Sequence, residues 1–390
     1  MEPEQLRICM VSDDFLPAAT GVGVHLQTII PLLAAKGHQV CVITSRRRGQ
    51  PTQEQWQQAR IYRLPSLSLY GFDQALPLGG RIGAILEENA VQLVHHHYLS
   101  LLLLRGFHVA AALGLPQVYT YHMTVDHLTQ APPLKPLRGF LSKIYVNYCN
   151  RFDQIMAPSA KLAEEIPALG IHSPVCFVSN PIVFSEPSGL PKPNDHLGFE
   201  ILYAGRLDPE KNVPLLIRAF ALLADKLPRA KLRIAGKGTE EAALHQLAAR
   251  LGVGARVTFL GFVERSALAQ HYSTCDVFVL PSLVETQGMV AMEAMHFGKP
   301  VIVTNRIVSA RELVQEGVNG FIVDADSTEE LAERLTQLHD DPARRRDMGL
   351  RGKEYSERYE PTRIIEQIEH VYLQALSGTT ARPVIAHPPS

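Results

Sequence analysis

Along the chain, short apolar runs rich in β-branched residues alternate with longer segments whose apolar positions recur every three or four residues. "LRICMVS", "GVHLQTIIPLLAAKGH" and "QVCVITS" set the rhythm, and "AVQLVHHHYL", "LPQVYTYHM", "RFDQIMAPS" and "VCFVSNPI" continue it. Strand, amphipathic helix and strand in succession predict βαβ units and a parallel sheet. The pattern stops at a stretch rich in Pro, Ser and Gly, "FSEPSGLPKPNDHLG", and restarts with "FEILYAGRL", "AKLRIAGKG", "RVTFLGFV", "CDVFVLPS", "PVIVTN" and "GFIVDA". The expected class is α/β, with a doubly wound domain over residues 1–183, a linker over 184–198 and a second doubly wound domain over 199–360. Residues 361–377 read as a further helix with Ile364, Ile365, Ile368, Val371, Tyr372 and Ala375 on one stripe, expected to pack back on the first domain. Residues 378–390 read as a flexible tail.

Length agrees with this division, since 390 residues exceed one ordinary core. A hydrophobic content of 46%, 20% charged residues and a net charge of −1 give no general attraction for nucleic acid. Cys9, Cys41, Cys149, Cys176 and Cys275 are scattered without CxxC spacing, which points to reduced thiols and a cytoplasmic setting. "MEPEQLRICMVSDD" lacks the basic start of a signal peptide, and "YLSLLLLRGFHVAAALGL" is interrupted by Arg105, Gly106 and His108. No leader or membrane span is expected.

Chemistry gathers where predicted strands end. In "YAGRLDPEKN", Gly205 closes a strand and Arg206 and Lys211 follow on its loop beside a predicted helix N-terminus, an arrangement suited to a diphosphate. A solvated loop salted by Asp208 and Glu210 fits the same residues. "IAGKGTEE" puts Gly236 and Gly238 after another strand, where glycine admits a ligand or turns the chain. Phe262 and Val263 lie where main-chain groups can read a nucleobase, or form an ordinary βα connection. In "ETQGMVAMEAM", Glu285 precedes Thr286, Gln287, Gly288 and Met289 at the start of a helix carrying Glu293. The amides there can bind phosphate, with Gly288 leaving room for it. If residues 285–293 were all helical, the two carboxylates would stand about 12 Å apart, a span suited to the two sugars of a nucleotide sugar. A helix-dipole partner and a surface charge explain the same pair.

These motifs together resemble the retaining family 4 glycosyltransferases of GT-B architecture, in the family's order and spacing. The resemblance implies two doubly wound Rossmann-like domains facing across a cleft. It also implies that Arg206 and Lys211 bind the donor diphosphate, Glu293 the ribose, and Glu285 with the adjacent backbone the transferred sugar. "DDFLPAATGVGVHLQTI" resembles the family's glycine-rich loop, with Gly21 and Gly23 near donor phosphate and acceptor, and His122 of "TYHMTVD" matches a histidine facing the donor sugar. Asp126 and His127 fall toward the acceptor, and Asn180 takes no catalytic role. No metal is expected. Asp324–Asp326 precedes a helix N-cap, and His95, His96 and His97 are consecutive, so strand alternation divides them between two faces.

The resemblance extends, more loosely, to enzymes that glycosylate diacylglycerol. Residues 134–151 place Leu137, Leu141, Ile144 and Tyr148 on a stripe near Lys135, Arg138, Lys143 and Arg151, which fits either an anionic membrane surface or a helix packed on the sheet. The reading is therefore a metal-independent retaining hexosyltransferase at the inner face of the cell membrane. Its co-substrate is a nucleotide sugar, UDP-glucose or UDP-galactose, its acceptor is a lipid or small molecule, and it needs no other cofactor. A GDP-mannose-dependent enzyme, a sugar-nucleotide epimerase and a non-catalytic sugar-nucleotide binding module are the alternatives.

Overall fold

A computed structural model describes residues 5–16, 21–69, 72–97, 99–122, 136–184 and 198–378. They form two compact units. One holds the chain up to Pro181 together with the helix Pro361–Ser377, and the other holds Ile182–Glu360. The division falls just before the expected end at 183 because Ile182 is buried in the second core and its amide bonds the Tyr359 carbonyl at 3.0 Å. Phe184, expected in the linker, packs on the same core, edge-on to Tyr272.

In the first unit the strands are β1 (Arg7–Val11), β2 (Gln39–Arg46), β3 (Gln53–Trp56), β4 (Ala59–Leu69), β5 (Phe72–Ala75), β6 (Leu93–His96), β7 (Gln117–Thr120), β8 (Gln154–Ala157) and β9 (Val175–Phe177). Among the described residues they run β3–β4–β2–β1–β6–β7–β8–β9, with β5 on β4. All pairings are parallel except those of β3 and β5 with β4. Alternation sends Ile8 and Met10 of β1 to one face, with Leu26, Ile29 and Ile30 of the helix Gly21–Ala35, and Cys9 and Val11 to the other, with Ile82 and Ile85. Ile364, Ile365, Ile368, Val371, Tyr372 and Ala375 join the Ile8 face. Glu369 of the same helix pairs with His38 at 2.8 Å, and the Tyr372 hydroxyl bonds His95 Nδ1 at 2.8 Å.

The helix predicted near 134–151 spans Arg138–Cys149, but it buries Tyr145 and Cys149 instead of the expected stripe. Leu137 and Phe140 remain exposed, Phe140 by 64%. Tyr145 wins the buried face because its hydroxyl meets Tyr119 at 3.1 Å and its ring packs on Tyr121.

The second unit is a parallel sheet ordered β12–β11–β10–β13–β14–β15. Its strands are β10 (Phe199–Ala204), β11 (Ala230–Ala235), β12 (Val257–Gly261), β13 (Val277–Leu280), β14 (Val301–Thr304) and β15 (Gly320–Val323). Strands buried on both faces, such as VFVL and VIVT, read as unbroken apolar runs.

Asp13, buried after β1, accepts a hydrogen bond from the Ala75 amide at 2.6 Å and so ties the β1 loop to β5. Burial pushes its carboxyl up to about 6 against the opposing pull of Ser100 and the Ala75 amide. The folded chain thus keeps a proton that the unfolded chain releases near its ordinary value of 3.8. Stability from this group is fullest below about pH 4 and falls as pH rises to about 6. Asp13→Asn keeps an acceptor for Ala75 without the charge. It is expected to stabilise the first unit by about 1 to 3 kcal/mol at pH 8 and by little at pH 4. Urea melts at the two pH values check this, and an effect of equal size at both would contradict it.

Candidate active site

The order of the second sheet reverses between β10 and β13, so the loops leaving these neighbouring strands diverge and open a crevice at their carboxyl ends. Both loops bring charge to it. Lys211 Nζ donates to Glu285 Oε1 at 2.6 Å, joining the two loops. Arg206 is 46% exposed at its side chain, and its guanidinium bonds Asp208 Oδ2 at 2.5 Å and Glu210 Oε1. Asp208 and Glu210 thus salt Arg206 as the solvated-loop reading expects, while Lys211 is held by the second loop.

Backbone contacts fix this loop. The Tyr203 hydroxyl donates to the Arg206 carbonyl at 2.6 Å, and burial, then Glu285, pushes that phenol well above its ordinary pKa. Gly205 N donates to Ala235 O at 3.0 Å and Leu207 N to Lys237 O at 2.9 Å. Asp208 Oδ1 accepts from both the amide and hydroxyl of Thr239, each at 2.9 Å. Gly236 has φ of +146°, and a Cβ there would lie 1.8 Å from the Gly205 carbonyl oxygen. A Cβ on Gly238 would come within 2.4 Å of the Leu207 backbone. The loops after β10 and β11 therefore touch main chain to main chain, which is what requires glycine at Gly236.

The span from Glu285 to Glu293 is not one helix. Gly288, at φ +81°, caps a helix that covers only Met289–His296, so the 12 Å helical spacing does not apply. Glycine at Gly288 answers to this left-handed conformation and to Leu280, whose side chain a Cβ would meet at 3.1 Å. Gln287 is buried with its carbonyl accepting from Ser309 at 2.5 Å, and Thr286 and Met289 are half-buried beside it.

Glu293 is buried. Its Oε2 accepts from the Tyr272 hydroxyl at 2.9 Å and its Oε1 pairs with Arg265 at 2.9 Å. Burial raises its pKa, while Arg265 and the Tyr272 bond oppose the rise. Arg265 and Tyr272 carried no sequence signal, because both belong to the separate helix Arg265–Thr274. Phe262 is 51% exposed after β12, a free aromatic face, whereas Val263 packs on the core.

The remaining expected residues lie in the first unit. Gly21 opens the helix Gly21–Ala35 with open space beside it, and Gly23 is buried two residues on. His122 follows β7 and meets His97 Nδ1 through its Nε2 at 3.3 Å. Burial lowers its pKa well below the ordinary value, and His25 and His95 lower it further. Asp126 and His127 lie outside the described residues. Strand alternation does separate the consecutive histidines: His96 bonds Gln117 and packs between Phe107 and Phe152. His95 and His97 share the other face, and the fold adds His25 and His122 to it.

Comparison with known proteins follows the same division. Residues 19–186 match the family model "Glycosyltransferase Family 4" and residues 192–355 match "Glycosyl transferases group 1". An alpha-monoglucosyldiacylglycerol synthase of Streptococcus pneumoniae is 26% identical, with 76% of this chain and 70% of that protein covered. A D-inositol 3-phosphate glycosyltransferase of an Arthrobacter species is 27% identical, with 85% of this chain and 84% of that protein covered. The crystal structure of Anabaena Alr3699/HepE in complex with UDP-glucose shares the fold with a TM-score of 0.75 at 20% identity, covering 95% of this chain and 100% of that one.

Adding a methyl group where the loops touch tests the backbone contact. Gly236→Ala is expected to destabilise the second unit by about 2 to 4 kcal/mol, from overpacking and an unfavourable φ together. Guanidinium unfolding followed by a probe in residues 182–360 measures it, and an unchanged midpoint would refute the contact.

Proposed function

Because the chain belongs to the family 4 glycosyltransferases of GT-B architecture, we propose that it moves a hexose from UDP-glucose or UDP-galactose to a membrane lipid acceptor with retention of configuration. The observation that carries this reading is the pairing of Lys211 with Glu285 across the crevice, beside a half-exposed Arg206. A diphosphate entering there meets Arg206, Lys211 and the N-terminal amides of the helix Met289–His296. Lys211 leaves Glu285 for phosphate oxygen, and the freed carboxylate accepts from hydroxyls of the transferred sugar.

In the transfer step, the bond from the anomeric carbon to the β-phosphate oxygen breaks and a bond from that carbon to the acceptor oxygen forms. The acceptor proton passes to the departing phosphate on the same face. Negative charge grows on the diphosphate, and in this reading Arg206 and Lys211 turn from their carboxylates to stabilise it without a metal. Glu293 holds the ribose, giving up part of its bond to Tyr272 or Arg265, and Phe262 offers a face to the base. For His122 we keep the donor-sugar role that the family resemblance implies.

The lipid acceptor is supported by the name of the Streptococcus relative. It is further supported by Leu137 and Phe140, apolar and exposed beside exposed Arg138 and Lys143 on one helix, a composition suited to an anionic membrane surface.

The direct test is nucleoside diphosphate release from UDP-, GDP- and ADP-sugars, each with and without lipid vesicles containing diacylglycerol, in EDTA. Release from a UDP-hexose that requires the lipid is expected. Release without acceptor would favour an epimerase or hydrolase, release from a GDP-sugar alone would move the donor to GDP-mannose, and no release would favour a binding module. Arg206→Ala and Lys211→Ala should each lower kcat by about 10²-fold or more, with thermal midpoints within a few degrees of wild type for the exposed Arg206. Parallel losses of stability and turnover would remove Arg206 from the mechanism.

A further inference from the structure

We infer that His25, His97 and His122 form a binding site for a single zinc-class transition-metal ion inside the first unit. His25 comes from the helix Gly21–Ala35, His97 from the end of β6 and His122 from the end of β7. Each offers one ring nitrogen, and the three nitrogens lie within 4.8 Å of one another. His97 Nδ1 and His122 Nε2 are 3.3 Å apart. Two nitrogens at about 2.0 to 2.1 Å from one tetrahedral zinc stand roughly 3.3 to 3.4 Å apart, so this pair already has the spacing of shared ligands.

His25 supplies the independent observation. It is 4% exposed, and neither of its ring nitrogens makes a hydrogen bond of normal geometry. A side chain whose polar atoms go unanswered in a core is rare unless a ligand answers them. The Asn180 side chain also approaches this ring. A neutral ring is the form that ligates.

The surroundings prepare the other two. His97 Nε2 lies 3.3 Å from Met10 Sδ, and a thioether has no proton to give, so Nε2 is the protonated nitrogen and the Nδ1 lone pair faces His122. His95 is not a ligand: its nitrogens bond the Tyr372 hydroxyl at 2.8 Å and Thr120 Oγ1 at 2.7 Å. Its ring instead lies against His97, with centroids 3.9 Å apart, and holds that imidazole in place. When the ion enters, the proton His122 Nε2 now shares with His97 moves to His122 Nδ1, each ring stays neutral, and no oxidation state changes.

An all-imidazole set selects zinc, cobalt, nickel or copper, and excludes magnesium and calcium, which take oxygen. It leaves the fourth position open. One consequence rests on the function proposed above: His122 cannot hold the ion and meet the sugar with the same nitrogen, so loading would slow transfer. Binding itself does not rest on that reading.

The test uses the full chain, stripped with EDTA and dialysed, with no sugar nucleotide present. Calorimetry with ZnCl₂ should show one tight equivalent per chain, MgCl₂ none, and CoCl₂ should give the visible absorption of a tetrahedral site. His25→Gln and His122→Gln should each weaken zinc binding at least tenfold. The chain has 16 histidines, so an adventitious surface site is the competing result. Zinc affinity unchanged in both variants, or no tight equivalent in the wild type, would overturn the proposal. Should either variant fail to fold, X-ray absorption on the wild-type zinc complex decides: three imidazole nitrogens support the site, and an oxygen-dominated shell rejects it. A negative result leaves glycosyl transfer untouched, because that assay is run in EDTA.

Discussion

The carbonyl of Gly205 occupies the space that a side chain at residue 236 would need, and the loops after β10 and β11 depend on that contact. With the two main chains touching, Leu207 can bond Lys237 and Asp208 can bond Thr239, so the loop after β10 is fastened along its length to the loop after β11. Tyr203 closes it from beneath by donating to the Arg206 carbonyl. Arg206 and Lys211 therefore project from a braced segment, so in the proposed reaction less ordering would remain when the diphosphate binds.

Both cations are neutralised by carboxylates, Arg206 by its own loop and Lys211 by the loop after β13. Arg206 rests on Asp208 and Glu210, and Lys211 on Glu285. For the exposed guanidinium the exchange of carboxylate for phosphate costs little, since surface ion pairs contribute only about 0 to 1 kcal/mol. The Lys211 pair is less exposed and couples more. In the proposed reaction, taking Lys211 for the diphosphate is what releases Glu285 to the sugar, so donor phosphate and donor sugar are recognised together.

The fold class was legible because parallel strands bury both faces and appear as apolar runs, and Arg206 and Lys211 stood out because one loop holds two cations five residues apart. The antiparallel additions β3 and β5 were not, since QEQW at the sheet's edge alternates exposed and half-buried positions and carries no apolar run. Glycine was legible as a special position but not its reason. At Gly236 the neighbour is another backbone, and at Gly288 it is a left-handed cap against Leu280. The partners of Glu293 were hidden for a related reason, as Arg265 and Tyr272 meet it only through the packing of a separate helix.

The histidines show most clearly where periodicity stops being informative. Alternation along β6 separates His96 from His95 and His97, and it does so in the structure, yet it cannot report which other elements face each side. Parallel pairing of β6 with β7 brings His122 to the His97 side, and the helix after β1 lays His25 over both. His95 is explained by its two hydroxyl partners and His96 by Gln117. Packing alone would be served at position 25 by an apolar side chain of similar volume, without the cost of burying unanswered polar atoms. What distinguishes an imidazole there from such a residue is its lone pair, and two more imidazoles lie within its reach, beside the Asn180 side chain.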